Sequence, residues 1–413
     1  MEYGLIGAKL GHSYSVPIHN MLGDYDYRLY EMSEDDFVAL MASRAFKGLN
    51  VTIPYKQVAF RHADALSDTA RAVGSVNTLV VRPDGSLYGH NTDIGGFIAM
   101  ARRGGIDIAG RKAVILGSGG TSLTARAACA RLGAREIVVV SRSGPVDYEA
   151  LYREHLDAQI LINTTPVGMY PNVGASPVEL SRFPRLCGVL DVIYNPDKPA
   201  LLLEAEARGI PFAGGLYMLV DQARQAAELF TGRTILPAES ERIHQALRAQ
   251  TLNLVLIGMP GSGKTTVGRA LADALGRELI DCDGEIVRRA GKDIPAIFAE
   301  DGEPAFRELE ARVIADFGKE KGLVIATGGG AVLRSDNVRA LRQNGRVIML
   351  ERRLDALAQD GRPLSTSLEA LEAMWRAREP QYRAAADAVI DNNGPAAQTV
   401  ARAKEAFYEA AGH

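Results

Sequence analysis

Nine consecutive residues, Gly258-Met259-Pro260-Gly261-Ser262-Gly263-Lys264-Thr265-Thr266, have the makings of a phosphate cradle. The spacing is G-x-x-x-x-G-K-[ST]. The apolar run 252–257 precedes it and a helical pattern, 267–272, follows it. In a strand–loop–helix context the glycines let backbone N–H groups turn inward around phosphate oxygens, and the helix adds its positive N-terminal end. Lys264 then reaches the β- and γ-phosphates, and Thr265 offers a hydroxyl to Mg²⁺. An ATP site is expected on Gly258, Pro260, Gly261, Ser262, Gly263, Lys264, Thr265 and Thr266. A chance glycine-rich turn explains the lysine, the threonine and both flanks poorly.

A second glycine-rich loop lies earlier. The strand pattern 112–116 runs into Gly117-Ser118-Gly119-Gly120-Thr121-Ser122 and a helix to Leu132. The next strand, 136–140, ends in Ser141-Arg142-Ser143. In dinucleotide-binding folds an acid at this strand end holds the ribose 2′-hydroxyl of NAD, whereas an arginine accommodates the 2′-phosphate of NADP. Arg142, with no acid beside it, favours NADP. The expected cofactor residues are Gly117, Ser118, Gly119, Gly120, Thr121, Ser141, Arg142 and Ser143, with Thr164 at the polar end of the strand near 160.

Other groups read two ways when taken alone. Ser13 and Ser15 are hydroxyls on a turn. They can grip a carboxylate, or simply cap a helix beginning near Val16 or Pro17. Lys56 opens a helix behind the strand 48–53, as a functional or an ordinary surface lysine. Asp93 opens the helix 94–103, where capping alone would account for it. Ser33 with Asp36 forms a capping box, and Pro83-Asp84-Gly85 marks a hairpin.

At 413 residues the chain is too long for one ordinary core, so two or three domains are expected. Hydrophobic content of 47% and charged content of 23% are those of a globular protein, and a net charge of −3 offers no argument for nucleic acid or an anionic membrane. Cys129, Cys187 and Cys282 are far apart, which argues against a disulfide framework or a zinc site. The N-terminus does not read as a signal peptide, and no run has membrane-spanning length without charges, so a reducing cytoplasm is expected. Repeated strand–helix alternation predicts an α/β protein with doubly wound sheets. The helical pattern 238–249 nearly meets the strand at 252, so the linker there is short.

Over about residues 1 to 249 the chain resembles shikimate dehydrogenases. The motifs that carry this are His12-Ser13-x-Ser15, Asn50-Val51-Thr52-Ile53-Pro54-x-Lys56, Val76-Asn77-Thr78, Asn91-Thr92-Asp93, Gly117-Ser118-Gly119-Gly120, Asn163-Thr164-Thr165-Pro166-Val167-Gly168-Met169 and Met218-Leu219-Val220-Asp221-Gln222. The resemblance implies that Ser13 and Ser15 bind the substrate carboxylate. It gives the substrate hydroxyls to Thr52, Asn77, Asp93 and Gln222, sets Tyr194 near the substrate, and makes Lys56 and Asp93 the catalytic pair. It departs from the family at Lys9 and Val16, where prolines are usual, and in the short stretch between Arg142 and Asn163, where trimmed helices are expected.

From residue 250 onward the chain resembles shikimate kinases, through Asp281-x-Asp283, Ile297-Phe298, Gly302-Glu303, Phe306-Arg307-x-x-Glu310, Gly328-Gly329-Gly330-Ala331, Gly361-Arg362-Pro363-Leu364 and Tyr382-Arg383. This implies that Asp283 is the base, that Asp281 and Thr265 serve Mg²⁺, and that Arg307 and Arg383 clamp the carboxylate. Gly328, Gly329 and Gly330 would approach the ring, with Lys264 and a lid residue, Arg362, as catalytic cations. Arginines that sandwich adenine in this family have no match near Ala358 or in 391–394. Weaker or less base-selective nucleotide binding is therefore expected, and similar kinetics with ATP and GTP would support it.

Together the resemblances imply a substrate domain over 1–100 completed by 215–249, a Rossmann NADP domain over 101–214, and a P-loop domain like nucleoside-monophosphate kinases over 250–413. The implied chemistry is 3-dehydroshikimate to shikimate to shikimate 3-phosphate, with NADP(H), ATP and Mg²⁺ and small-molecule substrates alone. A homodimer is compatible with the sequence. Rival readings are a quinate/shikimate dehydrogenase of broader specificity fused to the kinase, or one half as a non-catalytic module; intact Lys56, Asp93, Lys264 and Asp283 weigh against the latter.

Overall fold

The computed structural model describes residues 2–11, 13–357 and 367–411. The chain divides into two compact units. One comprises Met1–Val167, Ser176–Tyr194 and Glu204–His244; the other comprises Gly168–Ala175, Asn195–Leu203 and Gln245–His413.

The first unit holds two sheets. Strands β1 (Tyr3–Gly7), β2 (Tyr27–Glu31), β3 (Gly48–Val51), β4 (Ala65–Leu66), β5 (Thr78–Val81) and β6 (Leu87–His90) are ordered β2-β1-β3-β5-β6-β4. β1 runs parallel to β2 and β3, while β5 is antiparallel to β3 and β6. The β5–β6 hairpin turns at Gly85, with φ at 81°. β7 (Lys112–Leu116), β8 (Glu136–Val140), β9 (Ile160–Asn163), β10 (Gly188–Asp191) and β11 (Phe212–Gly214) form a second, parallel sheet ordered β11-β10-β9-β7-β8. All five residues of β7 are buried, as expected of a parallel strand covered on both faces. The helix between β8 and β9 is short, Tyr148–Glu154.

Two helices of this unit position the chemistry. Asp93–Arg103 sinks Phe97 and Met100 into the core beside Ile115, Ile162 and Cys129. Gly215–Thr231 packs along it. Their approach is close enough that a Cβ on Gly96 would stand 2.5 Å from the Met218 carbonyl oxygen. Ser33 caps the helix Glu34–Ser43 by accepting the Asp36 N–H, and its hydroxyl donates to the Asp36 carboxylate, so of the predicted capping box the serine cap is present while the aspartate holds the serine hydroxyl. Ser15 does not cap. Its helix starts at Ser15 itself, and its N–H donates to Ser13 Oγ at 3.1 Å.

The second unit holds β12 (Asn253–Ile257), β13 (Leu279–Asp281), β14 (Val324–Ala326), β15 (Gly345–Glu351) and β16 (Ala388–Asp391), parallel and ordered β13-β14-β12-β15-β16. β12 is buried throughout and delivers the glycine-rich loop to the helix Lys264–Leu275. No helix among the described residues is long and apolar enough to cross a membrane.

Candidate active sites

In the first unit the side chains of four separated segments meet. Lys56, the first residue of the helix Lys56–His62, places Nζ 2.6 Å from Asp93 Oδ2. Their side chains are 30% and 16% exposed, so the pair is open to a ligand yet partly sheltered from water. Asp93 is therefore engaged by the lysine and not by capping, and no side-chain cap closes its helix. Asn77 Nδ2 donates to Asp93 Oδ1 at 2.9 Å, while its Oδ1 accepts the Thr92 N–H at 2.8 Å. That second bond sets which way the amide points. Gln222 Oε1 lies 3.5 Å from Asn77 Nδ2 and accepts from Thr92 Oγ1 at 3.3 Å. Beneath them, Asn50 donates to the Asn77 carbonyl and to Thr78, and accepts from the Tyr27 hydroxyl at 2.7 Å.

Three of the remaining predicted substrate residues leave the same end of the first sheet, because β1 and β3 are parallel neighbours. Ser13 and Ser15 follow β1. Thr52 follows β3, and its methyl lies 2.8 Å from where a Cβ on Gly7 would stand. Tyr194 packs edge-on against Tyr14, with ring centroids 5.8 Å apart, which brings it to the Ser13–Ser15 turn. Burial raises its phenol above the usual range.

At the carboxyl ends of β7, β8 and β9 the second glycine loop is open. Gly117 has φ at 106°, and a Cβ there would meet Thr164 Oγ1 at 2.8 Å. Thr164 is held by donating to the Leu116 carbonyl at 2.7 Å. Gly119 and Gly120 have nothing within 4 Å of a Cβ position, and no side chain caps the helix Gly120–Arg131. Its first N–H groups and the clear space above them suit a pyrophosphate. Ser118 and Thr121 flank this opening in the chain. Arg142 and Ser143 are exposed at the end of β8, whereas Ser141 is buried there; Arg142 has no acidic partner among the described residues. Below the site, Asp191 is fully buried. It accepts from Asn163 Nδ2 and from the Ile193 N–H, each at 3.0 Å, and burial pushes its carboxyl up to about 7.

In the second unit Gly258, Gly261 and Gly263 all take positive φ, and Ser262 Oγ is buried without a partner. Lys264 folds back, with Nζ donating to the Gly258 and Met259 carbonyls at 2.9 Å each. Thr265 Oγ1 donates to Asp281 Oδ2 at 2.8 Å, while Thr266 stays exposed. Asp281 Oδ1 also caps the helix that carries Asp283, accepting the Asp283 N–H at 3.1 Å. The cradle, the orphaned hydroxyl and the Thr265–Asp281 pair fit a nucleotide phosphate chain with a hydrated Mg²⁺.

The triple glycine is the meeting point for the rest. A Cβ on Gly328 would stand 2.8 Å from Asp283 Oδ1 and 2.7 Å from Glu310 Oε1; on Gly329, 2.6 Å from Pro260; on Gly330, 2.1 Å from Arg307 Nη1. Arg307 is tied to Glu310 at 2.9 Å. Burial opposes its charge, but Glu310 and Glu303 more than offset that. Burial raises the Glu310 carboxyl against the pull of Arg307.

One predicted residue does not join. Arg383 donates to Glu379 and Glu351 at 2.8 and 2.9 Å and is half exposed. From this helix, the arginine that reaches the triple glycine is Arg378, donating to the Gly329 carbonyl at 3.0 Å beside the Tyr382 hydroxyl. The reason is helical phase. Leu371, Trp375, Arg378 and Tyr382 share the inner face of the helix Leu368–Ala385, and Arg383 lies one step round it. The spacing of Arg378 and Tyr382, one turn apart, was the available signal. Glu310, Thr92 and Asn50 were also missed as site residues, although each lies within a quoted motif. Arg362, with 361–364, and likewise Ala358 and His12, lie outside the described residues.

Comparison with known proteins follows this division. A model for the shikimate dehydrogenase substrate binding domain matches residues 5–79, and one for shikimate kinase matches residues 260–407. The NADP(+) shikimate dehydrogenase of Clostridium perfringens is 35% identical over 272 residues, covering 60% of this chain and 98% of the relative. Shikimate dehydrogenase 1 of Peptoclostridium difficile superposes with a TM-score of 0.53 at 36% identity, over 60% of this chain and 97% of that one. A quinate dehydrogenase from Corynebacterium glutamicum, solved with NAD, gives 0.55 at 26% identity, over 60% and 99%.

Proposed function

The chain belongs to the shikimate dehydrogenase family and carries a shikimate kinase domain behind that part, and from this we propose that one polypeptide runs two successive reactions. The first reduces 3-dehydroshikimate to shikimate, and the second phosphorylates shikimate to shikimate 3-phosphate. We assign 1–100 with 215–249 to the first substrate domain, 101–214 to the NADP domain and 250–413 to the kinase.

The observation that carries the first step is the Lys56–Asp93–Asn77–Gln222 constellation. The Gly117–Thr121 loop with Ser141, Arg142, Ser143 and Thr164 would hold NADPH, which would supply a hydride to the keto carbon. Lys56 stabilises the developing alkoxide and gives it a proton, which completes the hydroxyl. Asp93 keeps the ammonium in place and accepts from a neighbouring substrate hydroxyl, joined by Thr52, Asn77 and Gln222. Ser13 and Ser15 take the carboxylate, with Tyr194 beside them.

In the second step ATP supplies the phosphoryl group. Asp283 accepts the proton of the attacking hydroxyl, and Arg307 with Arg378 clamps the carboxylate, a task suited to guanidinium. Thr265 and Asp281 serve Mg²⁺. Lys264 exchanges its two carbonyl partners for phosphate oxygens, and Arg362 adds positive charge.

The test is a product assay on the purified chain with 3-dehydroshikimate, NADPH, ATP and Mg²⁺, read by mass, with NADH and ATP-free controls. Shikimate 3-phosphate is expected, with shikimate accumulating only without ATP. Shikimate under every condition would remove the kinase half of the proposal. The quinate dehydrogenase among the structural neighbours supports a second reading, a broader polyol-acid dehydrogenase. Comparable oxidation of quinate and shikimate would favour it.

A further inference from the structure

Strand order in the third sheet separates the two ends of a bound nucleotide. β13 and β14 lie on one side of β12 and bring Asp281, Asp283 and the triple glycine to the phosphate loop; β15 and β16 lie on the other. If 250–413 is a kinase, as proposed above, acceptor and transferred phosphate occupy the β13–β14 side. The rest of the nucleotide must then leave over the ends of β15 and β16.

The side chains there are not equivalent. Asn392, after β16, is fully engaged. Its Nδ2 donates to the Ser262 carbonyl at 2.7 Å, and its Oδ1 accepts from Thr399 Oγ1 at 2.7 Å. Arg353 is exposed and paired with Asp355 at 2.5 Å. Arg352, directly after β15, is half-buried against the phosphate loop, with Nη1 3.9 Å from where a Cβ on Gly263 would stand. Its Nε is shielded from water without a partner, and its guanidinium has no hydrogen-bond acceptor among the described residues. A buried charged donor left unpaired is costly, and a guanidinium fork matches phosphate oxygens.

We infer that Arg352 is a nucleotide-binding residue that donates to the α-phosphate from the side of the loop opposite the acceptor. Loop N–H groups and Lys264 serve the β- and γ-phosphates, so the α-phosphate is the one left nearest β15. A grip on phosphate reads no base, which accounts for the expectation that ATP and GTP behave alike.

Direct binding to the full-length chain tests this, by calorimetry with ADP, GDP and tripolyphosphate. Arg352→Gln is expected to raise the Kd of all three alike, by about 10- to 100-fold, the loss of one charge-assisted contact. Arg352→Lys, which keeps a cation there, should fall between, and this second variant stands if the glutamine form folds poorly. Unchanged Kd values within twofold would overturn the inference. So would weakening of ADP and GDP with tripolyphosphate unaffected, which would make Arg352 a reader of ribose or base. Wild-type chain that binds no nucleotide would overturn the kinase reading itself, a result distinct from a silent Arg352.

Discussion

The two central lysines are held in opposite ways. Lys56 meets a carboxylate 2.6 Å away on another helix, and that carboxylate is aimed by an amide from a third segment. Lys264 donates to two carbonyls of its own loop, five and six residues back. The first site is assembled by packing, its charge already matched. The second is made by one contiguous stretch whose lysine folds back onto carbonyls of its own loop. On the proposed function, an assembled site holds its proton donor at a fixed place, which a reaction at a single carbonyl needs. A local loop suffices where positive charge and N–H groups must simply surround phosphate.

The sharpest way to break the comparison is to remove each lysine. Lys56→Ala should lower reduction of 3-dehydroshikimate by about 10³-fold or more and leave phosphorylation within twofold; Lys264→Ala should do the reverse. Separate rate measurements on one preparation of each decide it, and any cross-loss would mean that the two activities share machinery.

Next in size is the choice between two arginines of one helix. Arg378→Ala should cut the kinase kcat/KM for shikimate by about 100-fold, as loss of a carboxylate contact does, while Arg383→Ala should cost no more than a few-fold. The opposite ranking in steady-state kinetics would restore Arg383 to the site.

If the dehydrogenase site depends on packing, a change remote from the chemistry must reach it. Gly96→Ala drives a methyl against the Met218 carbonyl and should separate the helices bearing Asp93 and Gln222. An overpacking cost of about 1–3 kcal/mol is expected, with slower reduction and normal kinase rates. Unaltered dehydrogenase kinetics and melting would show that the helix contact does not position the site.

A last effect is electrostatic and leaves the chemistry itself untouched. The Asp191 carboxyl sits at about 7 in the folded chain, above its ordinary value. Its contribution to stability is fully present below pH about 4 and is lost as pH rises through 7, because the unfolded chain ionises first. Thermal melts between pH 5 and 8 should therefore fall more steeply for the wild-type chain than for Asp191→Asn. Parallel curves would place the ionisation elsewhere.

The alternation of strands and helices, the serine cap at Ser33 and the hairpin, and the complete phosphate loop were legible in the residues because each depends on neighbours in the chain. Hydrophobic period, turn chemistry and loop spacing are local properties, and β12, the loop and its helix occupy one continuous stretch. Lys56 and Asp93 could be named from motifs, but on their own residues a surface lysine and a capping aspartate served as well. Packing decided between those readings, since the two groups lie 37 positions apart in the chain and yet meet at 2.6 Å. The same holds for Arg378 over Arg383, where burial of Trp375 and Tyr382 set the phase of the helix, and for Arg352, where the order of strands set which side of the loop it lines. Types and spacings determined what chemistry this chain could attempt. Which side chain faces which partner was left to the tertiary structure, because orientation depends on contacts between segments that the sequence keeps apart.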